Sequence, residues 1–154
     1  MLKDLILLFK YSRVSVLSPV LARYAAEALG GDEGIWEGLD YIVPVPLHRK
    51  RQRERGFNQS QLLARDLAGI QGLHVLERCL VKVRNVPPQT SLEGAGREGN
   101  VRGAYAAKKV RKIAGKTLLL VDDVFTTGST LRECSRVLLS AGAREVRALT
   151  LAQA

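Results

Sequence analysis

The chain has 154 residues, 46% of them hydrophobic and 25% charged, which is the balance of one soluble globular domain with a real core. No apolar run reaches the length of a membrane span, and no long apolar segment with a small-residue cleavage site follows Met1, so a cytoplasmic protein is expected. The excess of 24 basic over 15 acidic residues gives a net charge of +9, which suits a polyanionic partner and does not distinguish a pyrophosphate-bearing substrate from nucleic acid.

In chain order, Leu2, Leu5, Ile6, Leu8 and Phe9 predict a short amphipathic helix over residues 2–13. A second helix is marked by Ser18 as N-cap, Pro19 at the first helical position and a stop at Gly30-Gly31. Residues 34–40 read as a loop that Trp36 anchors to the core. Tyr41 to Leu47 reads as a strand brought to an end by Pro44 and Pro46, since each proline removes a ladder donor and extends the residue before it. The most basic stretch follows, with His48, Arg49, Lys50, Arg51, Arg53 and Arg55 opposed by Glu54 alone. Asn58 then caps a helix through about residue 68, apolar at Leu62, Leu63 and Leu67. A basic turn between strand and helix binds anions, although a solvated charge run is the ordinary explanation.

Residues 73–84 alternate weakly, with Leu80, Val81 and Val83 suggesting a strand. No regular pattern holds from Asn85 to Gly103, and so long an irregular connection is expected to be a mobile surface loop, which suits a lid. Lys108, Lys109, Arg111, Lys112 and Lys116 make residues 106–117 read as a solvated linker. The cysteines, Cys79 and Cys134, sit among apolar neighbours and are expected to pack as small hydrophobes, with no disulfide and no C-x-x-C pair for zinc.

The strongest signal is Leu118 to Thr130. Its apolar run fits a strand buried on both faces, and it ends in Asp122 and Asp123, followed by the turn Thr126-Thr127-Gly128-Ser129-Thr130. Thr130 and Glu133 read as a capping box opening a helix with Leu131, Cys134, Val137, Leu138 and Ala141 on one face and Gly142 as its stop. Glu145 to Leu151 then reads as the next strand, completing a βαβ unit on which the domain closes. Turn N–H groups and a helix start favour an anion, and the hydroxyls add donors. The carboxylates beside them call for a sugar diol or a divalent metal. Phosphate, diol and metal together describe a ribose 5-phosphate group. No P-loop and no G-x-G-x-x-G is present.

Val121-Asp122-Asp123-Val124-Phe125-Thr126-Thr127-Gly128-Ser129-Thr130 resembles the phosphoribosyl pyrophosphate signature of type I phosphoribosyltransferases. Pro44-Val45-Pro46-Leu47 with Arg55-Gly56-Phe57-Asn58-Gln59, and then Gln89-Thr90-Ser91-Leu92, Arg97 and Asn100 to Tyr105, resemble the ComF (competence protein F) branch. The resemblance implies an α/β fold, a parallel sheet flanked by helices with a flexible loop and a small hood, spanning residues 1–154 as one domain. It implies a pyrophosphate-binding segment from Pro46 to Arg55, with Leu47, His48, Arg49, Arg53 and Arg55 as candidates. Gln89, Arg97, Asn100 and Arg102 fall in the position of the catalytic flexible loop. The N-terminal four-cysteine zinc module common in the family has no counterpart here.

The resulting expectation is a phosphoribosyltransferase that binds phosphoribosyl pyrophosphate with Mg2+ and passes phosphoribose to an acceptor the sequence does not identify. Asp122 and Asp123 would grip the ribose–metal unit, Thr126, Thr127, Gly128, Ser129 and Thr130 the 5-phosphate, and Arg97 and Arg102 the leaving pyrophosphate. Adjacent strand residues face opposite ways, so both aspartates serve one ligand only if the strand twists or ends between them. The alternative is a protein that binds phosphoribosyl pyrophosphate or single-stranded DNA without turnover. An aromatic content of 5% disfavours an extended stacking platform for bases. Association as a dimer is left open.

Overall fold

The computed structural model describes residues 15–30, 33–84 and 101–153. The helix expected over 2–13 and the loop residues Gln89, Arg97 and Asn100 lie outside the described residues. After a 3-10 turn (Ser15–Leu17), the elements in chain order are α1 (Ser18–Ala28), α2 (Glu33–Trp36), β1 (Tyr41–Pro44), α3 (Arg49–Arg55), α4 (Gln59–Gln71), β2 (His74–Val75), β3 (Leu80–Lys82), β4 (Tyr105–Ala107), α5 (Val110–Ile113), β5 (Thr117–Phe125), α6 (Ser129–Ser140) and β6 (Glu145–Gln153).

Four parallel strands form the main sheet in the order β2-β1-β5-β6. The centre is β5, because its apolar run can be buried on both faces. Leu118 and Leu120 face Val43, Cys134 and Leu138, while Leu119 and Val121 face Leu63, Leu67 and Ala22. All four β5 residues are fully buried, and each such side chain contributes about 2 kcal/mol of hydrophobic stabilisation. Helices therefore cover both faces, as a parallel sheet requires. Strand β3 pairs antiparallel with β4 in a separate ribbon, Leu80 opposite Ala107 and Lys82 opposite Tyr105. The parallel strands β5 and β6 bracket α6, as the expected βαβ unit requires. Among the described residues no helix is long and apolar enough to cross a membrane.

Several local expectations are corrected. Ser18 is not the N-cap of α1: the 3-10 turn already holds Leu17 in helical geometry, and the Ser18 hydroxyl, buried, donates to Asp66 on α4 instead. Residues 33–36 are helical rather than loop, because Arg147 Nη1 donates to the carbonyls of Gly34, Ile35 and Glu37 and so satisfies that turn's acceptors. Trp36 does pack on the core. Residues 105–113 are not a plain linker: lysines mask the β4 strand and an α5 turn whose Ile113 is fully buried. Asn58 caps α4 as expected, accepting from Ser60 N at 3.1 Å, and the helix runs on to Gln71, where left-handed Gly72 stops it. Both cysteines are free and buried, and burial pushes the Cys79 thiol up to about 11, so neither is a reactive thiolate.

Candidate functional site

Parallel strands and the helices that follow them bring the candidate residues to the C-terminal edge of the sheet, where α/β folds bind ligands. Pairing between β5 and β6 runs through Phe125 opposite Gln153, so the strand does not end between Asp122 and Asp123. Strict alternation would turn Asp122 towards the α6 layer with Leu118 and Leu120, but its carboxylate reaches Ser60 on α4, the helix that packs on the other face. Alternation alone therefore does not set these side chains beyond Val121, where the pairing with β1 ends. Asp122 Oδ1 accepts from the Ser60 hydroxyl and from Asp123 N, both at 2.9 Å.

Beyond the strand, Gly128 adopts a left-handed φ of 73° and stands as the N-cap of α6 with no side-chain cap. A Cβ at this position would lie 2.7 Å from the far edge of the Phe125 ring and would push it aside, and the left-handed backbone favours glycine in any case. Thr127 Oγ1 and Ser129 Oγ are 3.0 Å apart, and Arg132 Nη2 donates to the Thr127 carbonyl at 3.0 Å. The expected capping box is not formed. The helix starts a residue before Thr130, whose hydroxyl bonds Tyr105 instead. Glu133, 8% exposed, accepts from Gly103 N at 2.8 Å and from two Arg136 nitrogens at 2.8 and 2.9 Å. Those donors, the guanidinium first, hold its carboxyl down at about 2. Gly128 has no side chain to cap the helix, and Thr127 Oγ1 accepts from Ser129 N only at 3.4 Å, so the positive end of α6 still suits an anion.

The predicted pyrophosphate segment is a helix rather than an open turn. His48 is extended and its Nδ1 accepts from Lys50 N at 3.4 Å, which starts α3; Arg55 is its last residue and left-handed Gly56 ends it. Leu47, His48 and Arg49 line a cavity of about 800 Å3, together with Asn58, Arg78, Lys82 and Lys108. Arg53 faces elsewhere, onto a shallower recess shared with Arg49, Gln52 and Gly56. Asp122 to Thr130 do not line the cavity; Lys82 relates the two regions. Its ammonium lies 5.3 Å from the Tyr105 ring centroid, and burial, then the Arg51 charge, lower its pKa, while Cys134 and Asp122 oppose the shift. Arg102 sits exposed at the base of the ribbon, where its carbonyl accepts from Arg84 Nη2.

Sequence reasoning missed Lys82, Arg78, Ser60 and Tyr105. Arg78 has φ 56°, left-handed for a non-glycine residue, a local strain at the cavity wall that no spacing rule reveals. Lys82 carried a weak signal, as the one charged residue in the alternating run from Leu80 to Val83. Among the described residues no group of three or more His, Cys, Asp or Glu could cage a metal by itself. Asp122 and Asp123 are hard oxygen donors of the kind that hold Mg2+ jointly with substrate phosphates, so they fit a substrate-borne ion.

A family model described as phosphoribosyl transferase domain matches residues 55–154. Competence protein F of Haemophilus influenzae is 36% identical over 114 residues, 73% of this chain and 50% of that protein. The DNA utilization protein YhgH of Salmonella typhi is 36% identical over 140 residues, 90% of this chain and 61% of that protein. This chain thus spans half to about three fifths of the length of these relatives. Among solved structures, the glutamine phosphoribosylpyrophosphate amidotransferase of B. subtilis superposes with a TM-score of 0.55 at 26% identity, covering 91% of this chain and 26% of that one.

Proposed function

The chain belongs to the phosphoribosyl transferase domain family, as a ComF-family member with the type I phosphoribosyltransferase fold, and on that premise we propose that it binds phosphoribosyl pyrophosphate with Mg2+ and transfers phosphoribose to an acceptor, releasing pyrophosphate. One observation carries this reading: a hydroxyl-rich turn with glycine as N-cap opens α6 just beyond a carboxylate held by Ser60, at the same sheet edge as a basic cavity. The turn from Thr126 to Thr130 holds the 5-phosphate. Asp122 and Asp123 accept from the ribose hydroxyls and supply oxygens to the ion, a joint role that rests on β5 twisting beyond Val121, where its pairing with β1 ends. Leu47, His48 and Arg49 at the cavity, with Lys82, hold the departing pyrophosphate.

The ribose carbon becomes oxocarbenium-like as the bond to pyrophosphate breaks, so the protein's work is positioning and charge stabilisation. Bound Mg2+ supplies neutralisation of the pyrophosphate charge. Arg97 and Arg102 add positive charge at the leaving group in this scheme, and Arg97→Ala lowers turnover more than affinity; the reverse would count against that role. The names of the relatives connect the family with competence and DNA utilization, and we place the reaction in the cytoplasm, upstream of or within such a process.

Turnover is tested by pyrophosphate release from phosphoribosyl pyrophosphate and Mg2+ across a panel of nucleobases. Acceptor-dependent release is expected. A protein that binds the donor and releases nothing with any acceptor would instead be a sensor. The exposed basic helix α3 favours a second reading, contact with the phosphates of single-stranded DNA. Such binding weakens steeply with salt, and DNA affinity insensitive to salt would remove it.

A further inference from the structure

Three buried or half-buried polar groups connect the two halves of the proposed site. Asn58, 7% exposed, donates from Nδ2 to the Val45 carbonyl at 3.0 Å, at the point where the chain leaves β1 for the basic segment. Its Oδ1 accepts from Ser60 N at 3.1 Å. Ser60, 4% exposed, donates its hydroxyl to Asp122 Oδ1 at 2.9 Å across 62 positions of sequence. Val45 N in turn donates to the Val121 carbonyl at 2.9 Å, closing the circuit back to β5 beside Asp122.

Helix formation explains only part of this. Asn58 is the N-cap, and a cap needs the asparagine oxygen and a backbone N–H, not the Ser60 hydroxyl. Ser60 stands in the first turn of α4, and a buried hydroxyl costs free energy unless it is hydrogen-bonded. The hydroxyl finds that partner in Asp122. Two donors converge on Oδ1, the Ser60 hydroxyl and Asp123 N, and rotating the carboxylate about its Cβ–Cγ bond would break both. The plane of the carboxylate is therefore set from α4 and not from β5 alone.

We propose that Ser60 is a positioning residue for the ribose-binding carboxylate of Asp122, and that Asn58 ties this setting to Val45, the residue that leads into the pyrophosphate segment. The two halves of the donor site are then one unit. The inference rests on the donor-binding reading above for its consequence, but its geometry has a test that needs no ligand.

In the ligand-free full chain, hydrogen exchange of the Asp123 amide reports the carboxylate directly, because that amide donates to Asp122 Oδ1. Ser60→Ala is expected to speed Asp123 exchange about tenfold while the amides of Leu119 to Val121, which lie in the β5 ladder, keep theirs. Unchanged Asp123 exchange overturns the proposal. Exchange raised equally through the whole strand overturns it too, since that marks general loosening. In calorimetric titration with phosphoribosyl pyrophosphate and Mg2+, Ser60→Ala weakens binding about tenfold, the range of one hydrogen bond to a charged group. In an Asp122→Asn background the same change has a smaller effect, because the residue it acts through is already altered. An equal effect in both backgrounds overturns the proposal. A wild type that fails to bind overturns the donor reading, and the exchange result still decides the relay.

Discussion

The two edges of the parallel sheet use the same residue types to opposite ends. At the N-terminal edge, Asp40 accepts from Thr117 N at 2.8 Å and from Lys116 Nζ at 2.9 Å, and Thr117 Oγ1 accepts from two Arg144 nitrogens at 2.8 and 3.1 Å. The Thr117 backbone bond, then Lys116, lowers the Asp40 pKa below the ordinary carboxylate range. Carboxylate, hydroxyl and guanidinium neutralise one another there. At the C-terminal edge of the same strand, Arg49 lines the cavity while Asp122 and Thr126 to Thr130 stand apart from it, and the N-cap of α6 is Gly128, which has no side chain. A charge satisfied within the chain is architecture. A constellation whose carboxylate and basic groups line separate regions, beside a helix start, is what an external anion completes.

The two edges differ most at Gly128. Gly128→Ala forces a side chain into left-handed backbone and onto the Phe125 ring, and should cost about 3 kcal/mol of stability, read by denaturant unfolding. Donor binding should fall with it by more than about tenfold. Asp40→Ala acts at the other edge: it strands the buried Thr117 N–H, costs about 2 kcal/mol and leaves donor affinity unchanged in titration. Loss of affinity there would erase the distinction between the edges.

Glu133 gives a smaller, pH-dependent effect. Its pKa is depressed in the fold to about 2, so its contribution is complete above about pH 4.5 and is lost as pH falls from there towards 2. Thermal unfolding across that window should show about 1.5 kcal/mol of loss, discounted because Arg136 is exposed, and Glu133→Gln should flatten that share of it. The smallest change expected is Gly72→Ala, away from either edge's polar network. It meets no clash and carries only left-handed strain at the end of α4, about 1 kcal/mol by unfolding, with donor binding intact.

What the sequence made legible follows from how local each signal is. Leu118 to Val121 could only be a strand covered on both faces, and a hydroxyl turn before an amphipathic segment could only lead into a helix; both follow from neighbours a few positions apart. The caps misled where a distant partner competed. Glu133 was drawn away from the helix start by Gly103, 30 positions back in the chain, and Ser18 by Asp66, 48 positions on. The β4 strand and the α5 turn were hidden because lysines on their solvent side outnumber the buried Tyr105 and Ile113. Ser60 and Lys82 had no local signal strong enough to rank them, since their significance lies in what the fold brings opposite them.

The carboxylates at the C-terminal edge of β5 are proposed to bind the phosphoribosyl donor. Calorimetric titration of phosphoribosyl pyrophosphate with Mg2+ into the wild type and into the Asp122→Asn/Asp123→Asn variant tests it most directly. Saturable binding by the wild type and an affinity at least about tenfold lower in the variant are predicted. Equal affinities in the two proteins, or a folded wild type that does not bind, would contradict it.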